Sequence, residues 1–95
     1  MGNEGLEQRR TVTIVNRLGL HARAAARLVT LASGYAAEIV IRRDGQEVNG
    51  KSIMGVMMLA AGKGTELELC ARGEDAGDAL AALADLIARG FDEEN

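Results

Sequence analysis

The chain has 95 residues, 11 of them basic and 14 acidic, for a net charge of −3. That length suits one domain with one core, and the acidic balance, with only Tyr35 and Phe91 as aromatics, provides neither the basic footprint nor the stacking platform of a nucleic-acid binder. A lone histidine and a lone cysteine make neither an internal disulfide nor a closed zinc site, and no apolar run reaches membrane-spanning length.

Residues 1–9 are polar and non-periodic and read as a disordered extension. Residues 10–90 read as the single domain. Its first strand covers Thr11 to Val15, with Val12 and Ile14 on the core face. Asn16 to Leu20 form a loop. A helix then runs from Ala22 to Ala32, and Ala25, Leu28, Val29 and Ala32 form its core stripe. Arg23 and Arg27 lie four apart on another face. Gly34 is expected to stop this helix as a left-handed cap. Ala37 to Arg42 form the second strand, with Ile39 and Ile41 inward. Asp44-Gly45 is a hairpin turn, because both residues tolerate positive φ. Gln46 to Asn49 return as the third strand.

Ser52 is a natural N-cap for a short apolar helix from Ile53 to Leu59. So short a helix cannot bury every side chain. Val56 and part of Met58 are assigned to the core, leaving Ile53, Met54 and Met57 partly exposed as a docking patch. Methionine suits a surface that must fit several partners. Thr65 to Ala71 form the fourth strand, with Leu67, Leu69 and Ala71 inward. Cys70 falls on the outer face with no cation beside it in sequence, so it reads as an exposed strand residue rather than a reactive thiol. Glu74 or Asp75 caps a last helix ending near Arg89, with Ala76, Leu80, Leu83 and Ile87 as its stripe. Gly90 stops it. Residues 91–95 read as a solvated acidic tail.

The element order β-α-β-β-α-β-α, with one apolar face per strand and one apolar stripe per helix, predicts a two-layer α+β fold. The outer sheet face, with Thr11, Thr13, Val40, Glu66 and Glu68, stays wet. Pattern alone leaves a ferredoxin-like arrangement open.

His21 stands where the first loop meets the first helix. A lone histidine there is usually a solvated residue or a polar cap. Its neighbours suggest more. The unpaired N–H groups of a helix start favour negative charge, and Ala22 and Ala24 would supply backbone donors to a phosphate. Arg23 is the cation best shaped for phosphoryl oxygens. An imidazole is nucleophilic near neutral pH and leaves readily. A histidine that accepts a phosphoryl group is therefore the chemical reading. A hydrolase triad is disfavoured, because no Gly-x-Ser-x-Gly elbow is present.

Gly19-Leu20-His21-Ala22-Arg23-Ala24-Ala25-Ala26-Arg27-Leu28-Val29 resembles the active-site signature of the HPr family, the histidine-containing phosphocarriers of the bacterial phosphotransferase system. Val48-Asn49-Gly50-Lys51-Ser52-Ile53-Met54-Gly55-Val56-Met57-Met58-Leu59 resembles that family's regulatory-serine signature. The likeness runs from about Thr11 to Arg89. Proline is usual where this chain has Ala24. Leu18 looks like the nitrogen-related branch, whereas the Ser52 block looks like the kinase-regulated branch linked to sugar transport.

The resemblance implies an open-faced β-sandwich: a four-stranded antiparallel sheet in the order one-four-two-three, with three helices on one face. It also implies a covalent phosphohistidine at Nδ1 of His21, assisted by Arg23, in a carrier rather than an enzyme. Enzyme I would be the donor and enzyme IIA proteins the acceptors. A dedicated HPr kinase/phosphorylase would act on Ser52. Ile53, Met54, Met57 and Arg27 would dock partners. The expected protein is a cytoplasmic monomer that needs no cofactor. A purely regulatory module working through the Ser52 helix is the competing reading.

Overall fold

A computed structural model describes residues 6–93. Among the described residues the order is β1 (Glu7–Thr13), α1 (Ala22–Ser33), β2 (Glu38–Arg43), β3 (Gln46–Asn49), α2 (Ile53–Met58), β4 (Glu66–Arg72), α3 (Ala76–Ala88) and a 3₁₀ turn (Gly90–Asp92). The sheet order is β1-β4-β2-β3, and all three pairings are antiparallel. This is the α+β open-faced sandwich, and it removes the ferredoxin-like alternative.

The alternating faces follow the sequence pattern. Ile39, Ile41, Leu67, Leu69 and Ala71 point into the core with Ala25, Leu28 and Ala32 of α1 and Leu80, Leu83 and Ile87 of α3. Complete burial of a side chain such as Leu28 removes enough apolar area to contribute roughly 1.5–3 kcal/mol. The Asp44-Gly45 hairpin has positive φ at both residues, 46° and 82°. Arg43 reaches from β2 to the carbonyls of Leu59 and Ala60, at 2.6 and 3.0 Å, and so ties down the C-terminal end of α2.

Several expectations need correction. The first strand starts at Glu7, so the domain begins before residue 10; residues 1–5 lie outside the described residues. The charged run Gln8-Arg9-Arg10 hides this strand from a periodicity argument. Its backbone nevertheless pairs along β4, as Gln8 with Ala71 and Arg10 with Leu69. Gly34 closes α1 at φ −77°, in the right-handed region. Met58 is exposed, so α2 buries only Val56.

Cys70 is 1 % exposed on the outer face of the sheet. Arg42 lies over it, with a guanidinium nitrogen 3.2 Å from Sγ, while also reaching Glu47 at 2.6 Å and Glu68 at 3.2 Å. Burial pushes the thiol's pKa up, against the pull of Arg42. The residue is therefore covered, and its thiol is kept protonated. The cation came from a neighbouring strand, where local sequence could not reveal it.

The acidic tail is not simply solvated. Gly90, Phe91 and Asp92 all take positive φ, at 65°, 58° and 60°, and turn the chain back on itself. Phe91 is completely buried in the core. Residues 94–95 lie outside the described residues.

Candidate functional site

The loop after β1 is fixed before it delivers His21. Gly19 turns at φ 66°, and a Cβ there would lie 2.5 Å from the carbonyl oxygen of Ala61. Only glycine fits this close approach without displacement of the backbone. Leu20 donates its N–H to the same carbonyl at 2.8 Å and buries its side chain. The loop that follows α2 is thus stitched to the start of α1.

His21 is the N-cap of α1, in extended conformation at φ −69°, ψ 174°. Its carbonyl accepts the first helical bond, from Ala25 N–H at 2.9 Å. Its side chain makes no capping bond. The N–H groups of Ala22, Arg23 and Ala24 therefore meet no acceptor within their own helix, as the geometry of a helix start requires. The Ala24 side chain is buried, so only its backbone serves the site.

The ring points instead toward the end of the chain. Its Nε2 is hydrogen-bonded to Oε2 of Glu93, across 72 positions of sequence. The other carboxylate oxygen of Glu93 accepts from Asn16 Nδ2 at 2.9 Å, and Asn16 Nδ2 also donates to the Gly19 carbonyl at 2.8 Å. Burial works to raise the Glu93 pKa, but the bonds from Asn16 and His21 outweigh it and hold the carboxyl below its usual range. Glu93 is an anion at neutral pH. The His21 side chain remains 30 % exposed.

His21, Arg23, Arg27, Leu18, Asp92 and Glu93 line a cleft of about 310 Å³. Arg23 is exposed at its rim and makes no ion pair among the described residues. Arg27 donates to the carbonyl of Phe91 and so secures the C-terminal turn. Sequence reasoning brought His21, Arg23 and the backbone of Ala22 and Ala24 together, but it missed Asn16 and Glu93. An acidic residue near a chain end carries no local signal of such a contact.

Ser52 caps α2, and its Oγ accepts from Gly55 N–H at 3.1 Å. Beside it Ile53, Met54, Met57 and Met58 are exposed, with Met54 the most open at 79 %. Helices α1 and α2 pack on each other, and the bond from Leu20 to Ala61 holds the loop after α2 against the loop that precedes His21. No helix among the described residues is long and apolar enough to cross a membrane.

The fold and site together define a small α+β domain that presents one histidine at a helix start, with a cation beside it and an apolar patch nearby. Residues 8–89 match the family described as PTS HPr component phosphorylation site. The chain is 54 % identical over 83 residues to the phosphocarrier protein HPr of Pseudomonas aeruginosa, covering 86 % of this chain and 92 % of that protein. The crystal structure of HPr-C-His from Thermoanaerobacter tengcongensis superposes with a TM-score of 0.89 at 43 % identity, covering 93 % of this chain and 99 % of the other. That of an HPr from Bacillus anthracis gives 0.84 at 41 % identity, over 87 % and 99 % of the two chains. The chain belongs to the HPr family, the phosphocarrier proteins of the phosphotransferase system.

Proposed function

We propose that this chain accepts a phosphoryl group on Nδ1 of His21 from phosphorylated enzyme I, itself charged by phosphoenolpyruvate, and passes it to enzyme IIA proteins. The observation that carries this reading is the N-cap position of His21 without a capping bond. The ring does not occupy the helix donors, so a phosphate on it meets the N–H groups of Ala22 to Ala24 and the positive end of α1. Arg23, on the rim of the same cleft, balances the phosphoryl charge. Transfer between two imidazoles then needs positioning and charge neutralisation more than added chemistry. The protein is a covalent carrier rather than a catalyst, and the reading invokes no cofactor, a cytoplasmic location and a monomer.

Ile53, Met54 and Met57 supply the apolar part of the docking surface, and Arg27, which holds the C-terminal turn, supplies a cation at the His21 cleft. Ser52 is the regulatory position. Phosphate at a helix N-terminus leaves the helix intact but places a dianion at the edge of that surface. An HPr kinase/phosphorylase would be the enzyme that adds it.

The test is incubation with enzyme I and labelled phosphoenolpyruvate, followed by acid treatment. Acid-labile label on His21 supports the reading. Absence of label, under conditions that charge a control HPr, refutes it.

A further inference from the structure

We propose that Glu93 is a positioning residue for phosphoryl acceptance: its carboxylate, held by Asn16, binds Nε2–H of His21 and keeps Nδ1 as the bare nucleophilic nitrogen. The proposal rests on the reading of His21 as the phosphoryl acceptor and adds a residue that neither sequence motif contains.

Three observations carry it. First, an ionised carboxylate only accepts hydrogen bonds. Its contact with Nε2 therefore selects the tautomer with the proton on Nε2. Nδ1 then holds the lone pair. Second, Glu93 is itself fixed on both oxygens, by Asn16 on one and His21 on the other. Asn16 in turn is buried and bonded to Gly19 in the loop that delivers His21. The carboxylate and the imidazole thus share one anchored frame. Third, the chain adopts a costly path to place Glu93 there. Phe91 and Asp92, neither of them glycine, both sit in the left-handed region. Such residues persist only where surrounding contacts over-determine them. Here the contacts are the burial of Phe91 and the bond from Arg27 to its carbonyl.

The chemistry balances without any further reactant. The Nδ1 lone pair attacks phosphorus, and the Nδ1–P bond forms. The bond from phosphorus to the donor's histidine nitrogen breaks, and that nitrogen keeps the electron pair. The proton stays at Nε2. The ring becomes cationic, and Glu93 neutralises it from the edge opposite the phosphate. Passing the group onward reverses these steps. A carboxylate behind an imidazole fixes tautomer and ring orientation in the same way when histidine binds a metal.

The experiment uses the full chain uniformly labelled with ¹⁵N, so that His21, the only histidine, is read against the backbone amides. In the native protein above neutral pH, the two ring nitrogens should show the well-separated shifts of a single Nε2–H tautomer. In Glu93→Ala they should move toward the averaged values of an exposed histidine, with the rest of the spectrum unchanged. The maximal rate of His21 phosphorylation by enzyme I should fall roughly tenfold, the low end of what losing such a carboxylate costs at a metal-bound histidine. The apparent KM for the carrier should stay put, because docking is untouched. Glu93→Gln keeps an acceptor oxygen and loses the charge, so it should hold the tautomer and recover part of the rate. Label on the native protein with an unchanged rate or unchanged ring shifts in Glu93→Ala overturns the proposal alone. A native protein that takes no label defeats the carrier reading, and the proposal with it.

Discussion

Two helix starts in this molecule look equivalent in sequence and differ in use. At α2 the N-cap side chain turns inward, and Ser52 Oγ accepts from Gly55 N–H. At α1 the N-cap side chain turns away, and His21 bonds to Glu93 from the far end of the chain. The first arrangement stabilises its own helix. The second leaves the helix donors open and relies on packing for stability: α1 buries Ala24, Ala25, Leu28, Val29 and Ala32 and does not depend on a cap. A helix of 12 residues with five buried side chains leans on its cap less than a helix of six with one. The contrast fits the proposed division, with chemistry at the first site and a structural cap, open to regulation, at the second.

The sharpest way to break the comparison is His21→Ala. Phosphate acceptance should vanish while thermal unfolding stays close to native, because the ring lies outside the core. Label incorporation and melting measured on the same sample decide the matter. Retained acid-labile label, or a lost fold, would contradict the division of roles.

Phe91→Ala tests whether the α1 site depends on the C-terminal turn. Truncating a fully buried phenylalanine should cost about 3–5 kcal/mol. Chemical denaturation gives the stability change. The loss should be accompanied by a change at the His21 ring nitrogens at temperatures where the variant is still folded.

Arg23→Ala should slow transfer without lowering stability, because Arg23 is exposed and off the core stripe. Loss of one electrostatic donor to a transferring group costs about 3 kcal/mol, or roughly a hundredfold in rate. Single-turnover transfer from enzyme I reads this directly, and native kinetics would remove Arg23 from the site.

At Ser52 the expected effects are smaller and separable. Ser52→Ala should lose about 1 kcal/mol with the cap bond and keep its reactivity with enzyme I. Ser52→Asp should keep the cap, since aspartate also serves there, but accept phosphate more slowly. Denaturation midpoints and steady-state rates against carrier concentration distinguish the two. If Ser52→Asp and authentic Ser52 phosphorylation both leave the rate unchanged, Ser52 is a cap and nothing else.

The smallest effect belongs to the start of α3, where a third kind of N-cap occurs. Asp75 gives its carboxylate to Ala36 and Ala37 N–H, both at 2.8 Å, rather than to its own helix. The bond from Ala36 is the main reason its pKa lies below the usual aspartate range, and it outweighs the effect of burial. A depressed folded-state pKa means the contribution is complete above the unfolded value and disappears as pH falls through the folded one. Asp75→Asn should therefore be slightly less stable than native at neutral pH, with the gap closing in acid. A gap of constant size from pH 7 to pH 2 would exclude this linkage.

Much of this was legible in the chain. Period-two and helical patterns located the inward faces, Asp44-Gly45 announced its hairpin, and Ser52 announced its helix, because these depend on local backbone geometry and on side chains within one turn. The residues around His21 and Arg23 likewise specified a helix start suited to an anion. What local reading missed lies across the fold. Arg42 covers Cys70 from the next strand, since sheet pairing decides which long side chain lies over which neighbour. Met58 is exposed because α2 offers the core only the side that carries Val56. Phe91 and Glu93 reach Asn16, His21 and Arg27 only because three successive left-handed residues fold the end of the chain back over the start of α1. The faces, the turns and the candidate nucleophile follow from local residue order. Tertiary structure alone decided which carboxylate meets that nucleophile, because a contact between residues 72 positions apart depends on packing the whole domain and leaves no trace in any local period.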